Sequence, residues 1–228
     1  MTVKKLAALF SSRKDSIYSI YLMKKKGYDI ACLVSMIDES LYSCMFTSSV
    51  VKIVELQAEA MELPVIIKKT NGEENEELMQ ALREAKAKYG ILGVVTGIRH
   101  SKSKKEDIEK VCNELGLEVH SPIWEIDSEK EMYDLVAARF HMIFTSVAAR
   151  GLNHGWLGRK IGKRDINKLV DLKNECGINV AGEAGEFESL VIDCPMFKKK
   201  LAINRFTILE KNEFTSQMMI DDVSLADK

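Results

Sequence analysis

The first 125 residues alternate short apolar stretches with amphipathic helical stretches, and this alternation constrains the fold more than any other feature. Apolar stretches predict five strands, at residues 3–10, 29–36, 65–68, 91–98 and 118–124. Helical periodicity predicts the helices between them, at residues 14–26, 48–62, 73–89 and 106–115. Because most of the strands are apolar throughout, we expect a parallel sheet that helices cover on both faces. Such sheets bind ligands beyond the carboxyl ends of their strands.

The pattern changes after about residue 125. Helices are expected at residues 128–140 and 164–176, and strands at residues 142–147, 201–209 and 218–223. A glycine-rich stretch occupies residues 151–162, and a carboxylate-rich loop leads into a further strand within residues 182–195. This mixture predicts a smaller α+β domain at residues 126–228, following an α/β domain with a parallel sheet at residues 1–125.

Composition narrows the class of protein. The net charge is −1 and the chain has no strongly basic stretch, so a nucleic-acid partner is not favoured. No segment approaches the roughly 20 apolar residues that a membrane helix needs, so we expect no membrane contact and a cytoplasmic location. The cysteines are odd in number and scattered, which indicates free thiols; they are Cys32, Cys44, Cys112, Cys176 and Cys194.

A polar loop follows the first strand and leads directly into a helix. Its residues are Ser11, Ser12, Arg13, Lys14, Asp15 and Ser16. A strand, loop and helix in this order point several backbone N–H groups and the positive helix end at one place, which suits an anion such as pyrophosphate. Asp15 can cap the helix or hold Mg²⁺. On these six residues alone, however, a polar turn with a helix cap is the better-supported interpretation.

A second unusual segment is the carboxylate loop, residues 182–189, with the sequence Gly-Glu-Ala-Gly-Glu-Phe-Glu-Ser. Its carboxylates are Glu183, Glu186 and Glu188. Three carboxylates within six residues repel one another unless they meet cations, a metal ion or solvent. A solvated turn is the ordinary outcome, but the apolar strand that follows places this loop at the mouth of a strand.

Taken in order along the chain, these segments resemble the diphthine–ammonia ligase family of PP-loop ATP pyrophosphatases, which carry an ATP-binding domain of type 4. Besides residues 11–16, the resemblance rests on residues 45–46, 54–60, 93–98, 109–112, 115–117, 122–124, 151–152, 156–159, 177–179 and 183–193. The order and spacing of these segments are more specific than any one of them, and they cover nearly the whole chain up to about residue 200.

Three segments depart from the family's usual pattern. Ser12 and Arg13 replace the two glycines of a Ser-Gly-Gly-Lys-Asp-Ser loop, and glycine permits a positive φ and a close approach to phosphate. Residues 47–50, Thr-Ser-Ser-Val, stand where the family usually has His-Thr-Pro-Asn. Residues 99–105, Arg-His-Ser-Lys-Ser-Lys-Lys, replace a Ser-x-Tyr-Gln stretch that leads to an arginine. The last two segments would border the nucleotide or the substrate in such a fold.

The resemblance implies a PP-loop domain of the adenine nucleotide alpha hydrolase-like, Rossmann-like type at residues 1–125, which binds ATP with Mg²⁺. It implies that residues 126–228 bind the substrate. The implied reaction adenylates the carboxylate of diphthine on elongation factor 2. Ammonia then displaces AMP to give an amide, and pyrophosphate is the other product. No glutaminase domain is expected, so free ammonia would supply the nitrogen, and a homodimer is compatible with this interpretation.

The same resemblance implies a set of site residues. Nucleotide-binding residues would be Ser11, Ser12, Arg13, Lys14, Asp15, Ser16, Ser35, Met36 and Gly97. Lys14, Asp15, Glu183 and Glu186 would be catalytic, and Asp15 is the candidate metal ligand. Substrate-binding residues would be Glu183, Glu186, Glu188 and Arg159, although a lone arginine is more often a salt-bridge partner.

Two alternatives stay open from the sequence. One is a non-catalytic nucleotide-binding paralogue with a degenerate PP-loop, because Ser12 and Arg13 occupy glycine positions. The other is a tRNA-modifying PP-loop enzyme, which the net charge of −1 and the lack of a Cys-x-x-Cys pair disfavour. Release of AMP from ATP would distinguish the ligase from the paralogue.

Overall fold

A computed structural model describes residues 3–38, 44–70 and 74–228. The side chains of residues 38, 44–48 and 74 lie outside the described part, and these include Met45, Phe46 and the first two residues of the departure at 47–50. The chain divides into two compact units, Met1–Glu125 and Ile126–Lys228.

The first unit is built on a five-stranded parallel sheet with the order β3-β2-β1-β4-β5. Its strands are β1 (Lys5–Leu9), β2 (Asp29–Asp38), β3 (Val65–Thr70), β4 (Gly93–Val95) and β5 (Glu118–His120). Its helices are α1 (Lys14–Lys25), α2 (Cys44–Ala60), α3 (Glu74–Tyr89) and α4 (Lys102–Glu114). The predicted α/β fold with a parallel sheet is confirmed.

The core of this unit explains why apolar strands and helical stripes alternate in the sequence. Ala7 of β1 and Val34 of β2 pack in one buried cluster with Leu82 of α3 and Cys112 of α4. The central strand β1 is buried on both of its faces, since Leu6, Ala7 and Ala8 are all inaccessible to solvent. A central parallel strand of this kind carries no polar face, which accounts for its continuous apolar sequence.

The order of strands places a topological switch point next to β1. From β1 the chain proceeds to β2 and β3 on one side, and then returns to β4 and β5 on the other side. The loops that leave the carboxyl ends of β1 and β4 are therefore neighbours, with α1 and α4 beginning on either side of them. Open parallel sheets bind their ligands in the crevice at this position.

The second unit contains a four-stranded antiparallel sheet with the order β7-β6-β9-β8. Its strands are β6 (His141–Ala148), β7 (Phe187–Asp193), β8 (Lys200–Asn212) and β9 (Thr215–Ala226), and its helices are α5 (Ser128–Ala137) and α6 (Lys163–Cys176). The rings of Phe144 and Phe187 stack with their centroids 3.9 Å apart in its core. The predicted α+β character of this region is confirmed.

Within the described residues, no helix combines the length and the apolar character that crossing a membrane would require.

Candidate functional site

The loop between β1 and α1, residues 11–16, is closed by its own serines. The hydroxyl of Ser16 accepts hydrogen bonds from both the N–H and the hydroxyl of Ser11, each at 3.3 Å. The same hydroxyl donates to the carbonyl oxygen of Arg13 at 3.1 Å. These contacts hold the loop in a fixed turn at the amino end of α1, where backbone N–H groups and the helix dipole favour an anion.

Ser12 occupies the conformation that a glycine normally supplies. Its φ is +64°, in the left-handed region, while Arg13 is extended with φ −90° and ψ 164°. The fully buried Gln57 donates from Nε2 to the carbonyl oxygen of Ser12 at 3.3 Å. A non-glycine residue in this region costs on the order of 1–3 kcal/mol. Only the first of the two expected glycine positions therefore needs glycine-like geometry, and the loop retains that geometry with a serine.

Gly97 lies directly against this loop. A Cβ atom placed on Gly97 would lie 2.8 Å from both the carbonyl carbon of Asp15 and the nitrogen of Ser16. Both neighbours are backbone atoms, so no rotation of a side chain could make room. The segment that follows β4 thus packs against the first turn of α1 through a contact that only glycine permits.

Lys14 points away from solvent, although it is the cation expected to meet phosphate. Its side chain is 2% exposed, and its Nζ lies 2.5 Å from Oδ1 of Asp15. The Asp15 carboxylate remains 30% exposed and borders the neighbouring cavity, whereas Lys14 does not. In this conformation the charge of Lys14 is already balanced by a carboxylate.

A cavity of about 380 Å³ opens beside the loop at the carboxyl edge of the sheet. One part of its wall is apolar and comprises Leu9, Val34, Met36, Leu78 and Ile108. The polar part comprises Ser11, Arg13, Asp15, Ser16, Thr96, Lys104 and Asp107. This volume lies within the usual range for small-molecule sites, and an apolar wall facing a polar wall suits a nucleotide base and its phosphates.

The cavity brings together six of the nine nucleotide-binding residues expected from the sequence: Ser11, Arg13, Asp15, Ser16, Met36 and Gly97. Ser12 and Lys14 are buried behind it, and so is Ser35. Side chains alternate along a strand, so Ser35 faces away from the wall that its neighbours Val34 and Met36 form.

Several wall residues were missed from the sequence, and two of them carry charge. Lys104 and Asp107 are three residues apart on α4, a spacing that places them on one helix face. The position of α4 after β4 and Gly97 was the available signal. The helix was expected to begin at residue 106, which left Lys104 outside it, whereas α4 begins at Lys102 behind a Ser101 cap.

The side chains around the cavity offer few ligands for a magnesium ion. Among residues 3–38, 44–70 and 74–228, no group of three or more metal-binding side chains comes together. Mg²⁺ that arrives with a nucleotide needs only one or two protein carboxylates besides phosphate oxygens and water. Asp15 fits that requirement because it lines the cavity and its side chain is 30% exposed.

The carboxylate loop of the second unit is ordered by Glu186. This side chain is largely buried and accepts hydrogen bonds from the N–H groups of Asn179, at 2.7 Å, and Ala184, at 2.9 Å. Gly182 has φ +76°, and a Cβ on it would lie 2.8 Å from the ring of Phe187. Glu186 therefore fixes the loop backbone, which leaves Glu183 and Glu188 as the more accessible carboxylates.

Glu183 and Arg159 have defined partners within the second unit. The hydroxyl of Ser128 donates to Glu183 at 3.0 Å. Arg159 donates to the carbonyl oxygen of Gly155 at 2.9 Å and to Asp165 at 2.6 Å. Of the two expectations for Arg159, a substrate contact or a salt bridge, the structure contains the salt bridge.

Asp165 connects Arg159 to the start of α6. Its carboxylate also accepts from the Gly162 N–H at 3.0 Å, which caps the helix. Burial raises the pKa of Asp165, but the Gly162 hydrogen bond and the Arg159 contact outweigh it, so that this pKa lies below its ordinary value. The pairing anchors the glycine-rich stretch to the helix.

The first unit is a parallel α/β domain with a cavity of small-molecule size at the carboxyl edge of its sheet, the place where domains of this class bind their ligands. Two family models match the sequence, the Diphthamide synthase N-terminal domain over residues 4–119 and the Diphthamide synthase C-terminal domain over residues 127–223. The chain belongs to the diphthamide synthase family, and it is an ATP-dependent ligase.

Curated relatives with the name diphthine–ammonia ligase agree with this placement. The protein from Rattus norvegicus is 30% identical over 222 residues, which span 88% of this chain and 83% of the relative. The Homo sapiens protein is 28% identical over the same shares of both chains. The Schizosaccharomyces pombe protein is 29% identical, and the match spans 90% of this chain but only 37% of that longer protein.

A solved structure described as a predicted subunit of tRNA methyltransferase from Methanocaldococcus jannaschii also matches. Its TM-score is 0.42 at 14% identity, over 85% of this chain and 98% of that one. A similarity at this level carries no argument about fold or function.

Proposed function

We propose that this chain is an amide ligase that uses ATP to activate the carboxylate of diphthine on elongation factor 2 and then amidates it with ammonia. A carboxylate oxygen attacks the α-phosphorus of ATP, and pyrophosphate leaves. The nitrogen of ammonia then attacks the acyl carbon of the adenylate, AMP leaves with the bridging oxygen, and the nitrogen loses a proton. The products are the amide, AMP and pyrophosphate.

The observation that carries this proposal is the cavity beside residues 11–16, in a chain that both diphthamide synthase models match. Adenylation requires alignment of two reactants and stabilisation of a leaving anion, and it requires no protein nucleophile. We assign the adenine ring to the apolar wall and the phosphates to the polar wall. Ser11, Ser16 and Arg13 then bind phosphate oxygens, with the amino end of α1 behind them.

Lys14 and Asp15 receive linked roles in this proposal. Lys14 holds the Asp15 carboxylate through the 2.5 Å contact, and so fixes the first turn of α1 below the phosphates. Asp15 would hold Mg²⁺ that arrives with ATP, and that ion would neutralise charge on the phosphates.

For the second unit we propose a role in binding the substrate, in which some residues hold the loops in place and others contact the substrate. Glu186 keeps the carboxylate loop in shape through its two backbone hydrogen bonds. Glu183 and Glu188 are exposed enough to bind ammonium or to orient the modified histidine side chain. Arg159 contributes by holding the glycine-rich stretch through Asp165.

The test is product analysis with the complete set of substrates. The protein is incubated with ATP, elongation factor 2 that carries diphthine, and an ammonium salt, and nucleotides are separated by chromatography. We expect AMP and pyrophosphate in equal amounts, together with a mass change of the factor that corresponds to conversion of an acid to an amide. Omission of either ammonium or diphthine should prevent amide formation. Release of ADP and phosphate instead would contradict the proposal.

One alternative has specific support, namely a nucleotide-binding protein without catalytic activity. Ser12 stands at a glycine position, and Lys14 is buried in an ion pair. Such a protein would bind ATP with measurable affinity and form no AMP under any combination of substrates. The same product analysis, combined with a binding measurement, separates the two functions.

A further inference from the structure

Three lysines cluster at the start of α4, and the structure gives each of them a different environment. Lys105 lies 3.8 Å from the carboxylate of Glu109 and 4.3 Å from the ring centroid of Trp124. Lys102 is exposed and lies outside the cavity wall. Lys104 is also exposed, but it forms part of the cavity wall. Only one of the three is therefore placed to contact a ligand there.

The backbone of Lys104 is held within a capped helix turn, whereas its side chain is exposed. Its backbone N–H donates to the Ser101 hydroxyl, at 3.4 Å, in the capped first turn of α4. Its ammonium group forms no ion pair within the part of the chain that the structure describes. The segment between β4 and this helix contains Gly97, which lies against the backbone of residues 15–16. Lys104 thus lies on the side of the cavity that adjoins the anion-binding loop.

The cavity wall carries two carboxylates, Asp15 and Asp107, and a bound nucleotide would add the negative charge of its phosphates. Lys14, the lysine of the loop itself, is buried and balanced by Asp15. The cationic side chains in the wall are Arg13 and Lys104. A triphosphate is a multiply charged anion, and charge-assisted contacts to lysine and arginine are the strong ones in phosphate recognition.

We propose that Lys104 binds the terminal phosphates of the nucleoside triphosphate, those that leave as pyrophosphate, and so distinguishes ATP from AMP. The inference rests on the proposed function of this cavity and adds to it the residue that selects a triphosphate. The ammonium group donates hydrogen bonds to the β- and γ-phosphate oxygens from α4, beside the contacts that the loop makes.

Isothermal titration of the full chain with ATP, AMP and inorganic pyrophosphate tests the inference directly. Loss of one charge-assisted contact corresponds to roughly a ten- to hundredfold change in affinity. Lys104→Ala should weaken ATP and pyrophosphate binding by this factor and change AMP affinity less than about twofold. Lys104→Arg should restore most of the loss. Lys102→Ala is the matched control, since it removes the same charge from the same helix turn outside the cavity, and it should bind ATP normally.

The outcomes separate the inference from the proposed function. ATP affinity that is unchanged in Lys104→Ala, or reduced equally in Lys102→Ala, overturns the inference and leaves the ligase proposal standing. An equal loss of ATP and AMP affinity overturns it as well, because the lysine would then act on the ribose or base. Failure of the unaltered protein to bind ATP contradicts the proposed function and the inference together. Circular dichroism of each variant verifies that it is folded.

Discussion

Replacement of Gly97 by alanine should disable the nucleotide site through a single added methyl group. The new Cβ would lie 2.8 Å from two backbone atoms of the first turn of α1, and ordinary contacts begin at about 3.4 Å. The loop or the segment after β4 must therefore move by about 0.6 Å. A displacement of about 1 Å in a site can cost on the order of a hundredfold in rate, so a shift of this size predicts at least a tenfold loss of ATP affinity, ~1.4 kcal/mol.

Gly93→Ala is the control, because its added Cβ would meet backbone at nearly the same distance as the Cβ of Gly97→Ala. Gly93 is the first residue of β4, and a Cβ on it would lie 2.7 Å from the carbonyl oxygen of Glu118; Gly93 does not line the cavity. Overpacking of this kind costs about 1–3 kcal/mol of stability in either variant. The assay compares ATP affinity by titration calorimetry with stability by urea denaturation. Equal stability losses with an affinity loss in Gly97→Ala alone would support the account, whereas normal ATP affinity in Gly97→Ala would refute it.

Three further predictions concern the loop, the second unit and pH. Ser12→Gly should raise the free energy of unfolding by about 1 kcal/mol, because it relieves a left-handed serine, and thermal denaturation would detect this as a higher Tm. Glu186→Gln should destabilise the carboxylate loop by about 1–3 kcal/mol, because an amide offers one acceptor oxygen to two backbone N–H groups; hydrogen exchange should be faster at Asn179 and Ala184. The pKa of Asp165 is lower in the folded protein than its ordinary value, so the ionised carboxylate stabilises the fold. This contribution to the free energy of unfolding is fully present above the ordinary pKa and is lost as the pH falls through the folded-state pKa. Acid titration of Asp165→Asn should therefore show a weaker pH dependence than the unaltered protein.

The sheet of the first unit could be predicted from the sequence because its determinants are local. Five apolar stretches separated by helical stretches specify a buried parallel sheet, and a polar segment after the first strand marks its loop. The boundaries were less accurate where few residues pair. β4 and β5 contain three residues each, although stretches of eight and seven residues were expected to be extended.

The beginning of α4 was predicted incorrectly for a definable reason. Residues 102–105, Lys-Ser-Lys-Lys, carry no apolar periodicity, so the pattern of buried residues gives no sign of a helix there. The helix starts because the Ser101 hydroxyl accepts a hydrogen bond from the third residue after it. A capping hydrogen bond, and not a hydrophobic face, determines where this helix begins. Lys104 was therefore not predicted to lie on the helix that lines the cavity.

The roles of individual charged residues could not be read from residue type and spacing. Lys14 precedes a carboxylate that holds it at 2.5 Å, and its burial depends on packing of the whole unit. Glu186 bonds to two backbone N–H groups whose positions follow from the turn at Gly182. Both remain predicted functional residues; the structure adds that Lys14 pairs with the Asp15 carboxylate and that Glu186 orders the backbone of its loop.

The central claim is that the acceptor carboxylate attacks the α-phosphorus of ATP. An ¹⁸O label in that carboxylate tests this claim most directly. Elongation factor 2 that carries diphthine with an ¹⁸O-labelled carboxylate is converted in the presence of ATP and ammonium, and the nucleotide product is examined by mass spectrometry. Attack of the carboxylate on the α-phosphorus predicts that one ¹⁸O atom appears in AMP. Unlabelled AMP, or ¹⁸O found in inorganic phosphate, would contradict the account, because the carboxylate would then never have been joined to the adenylate.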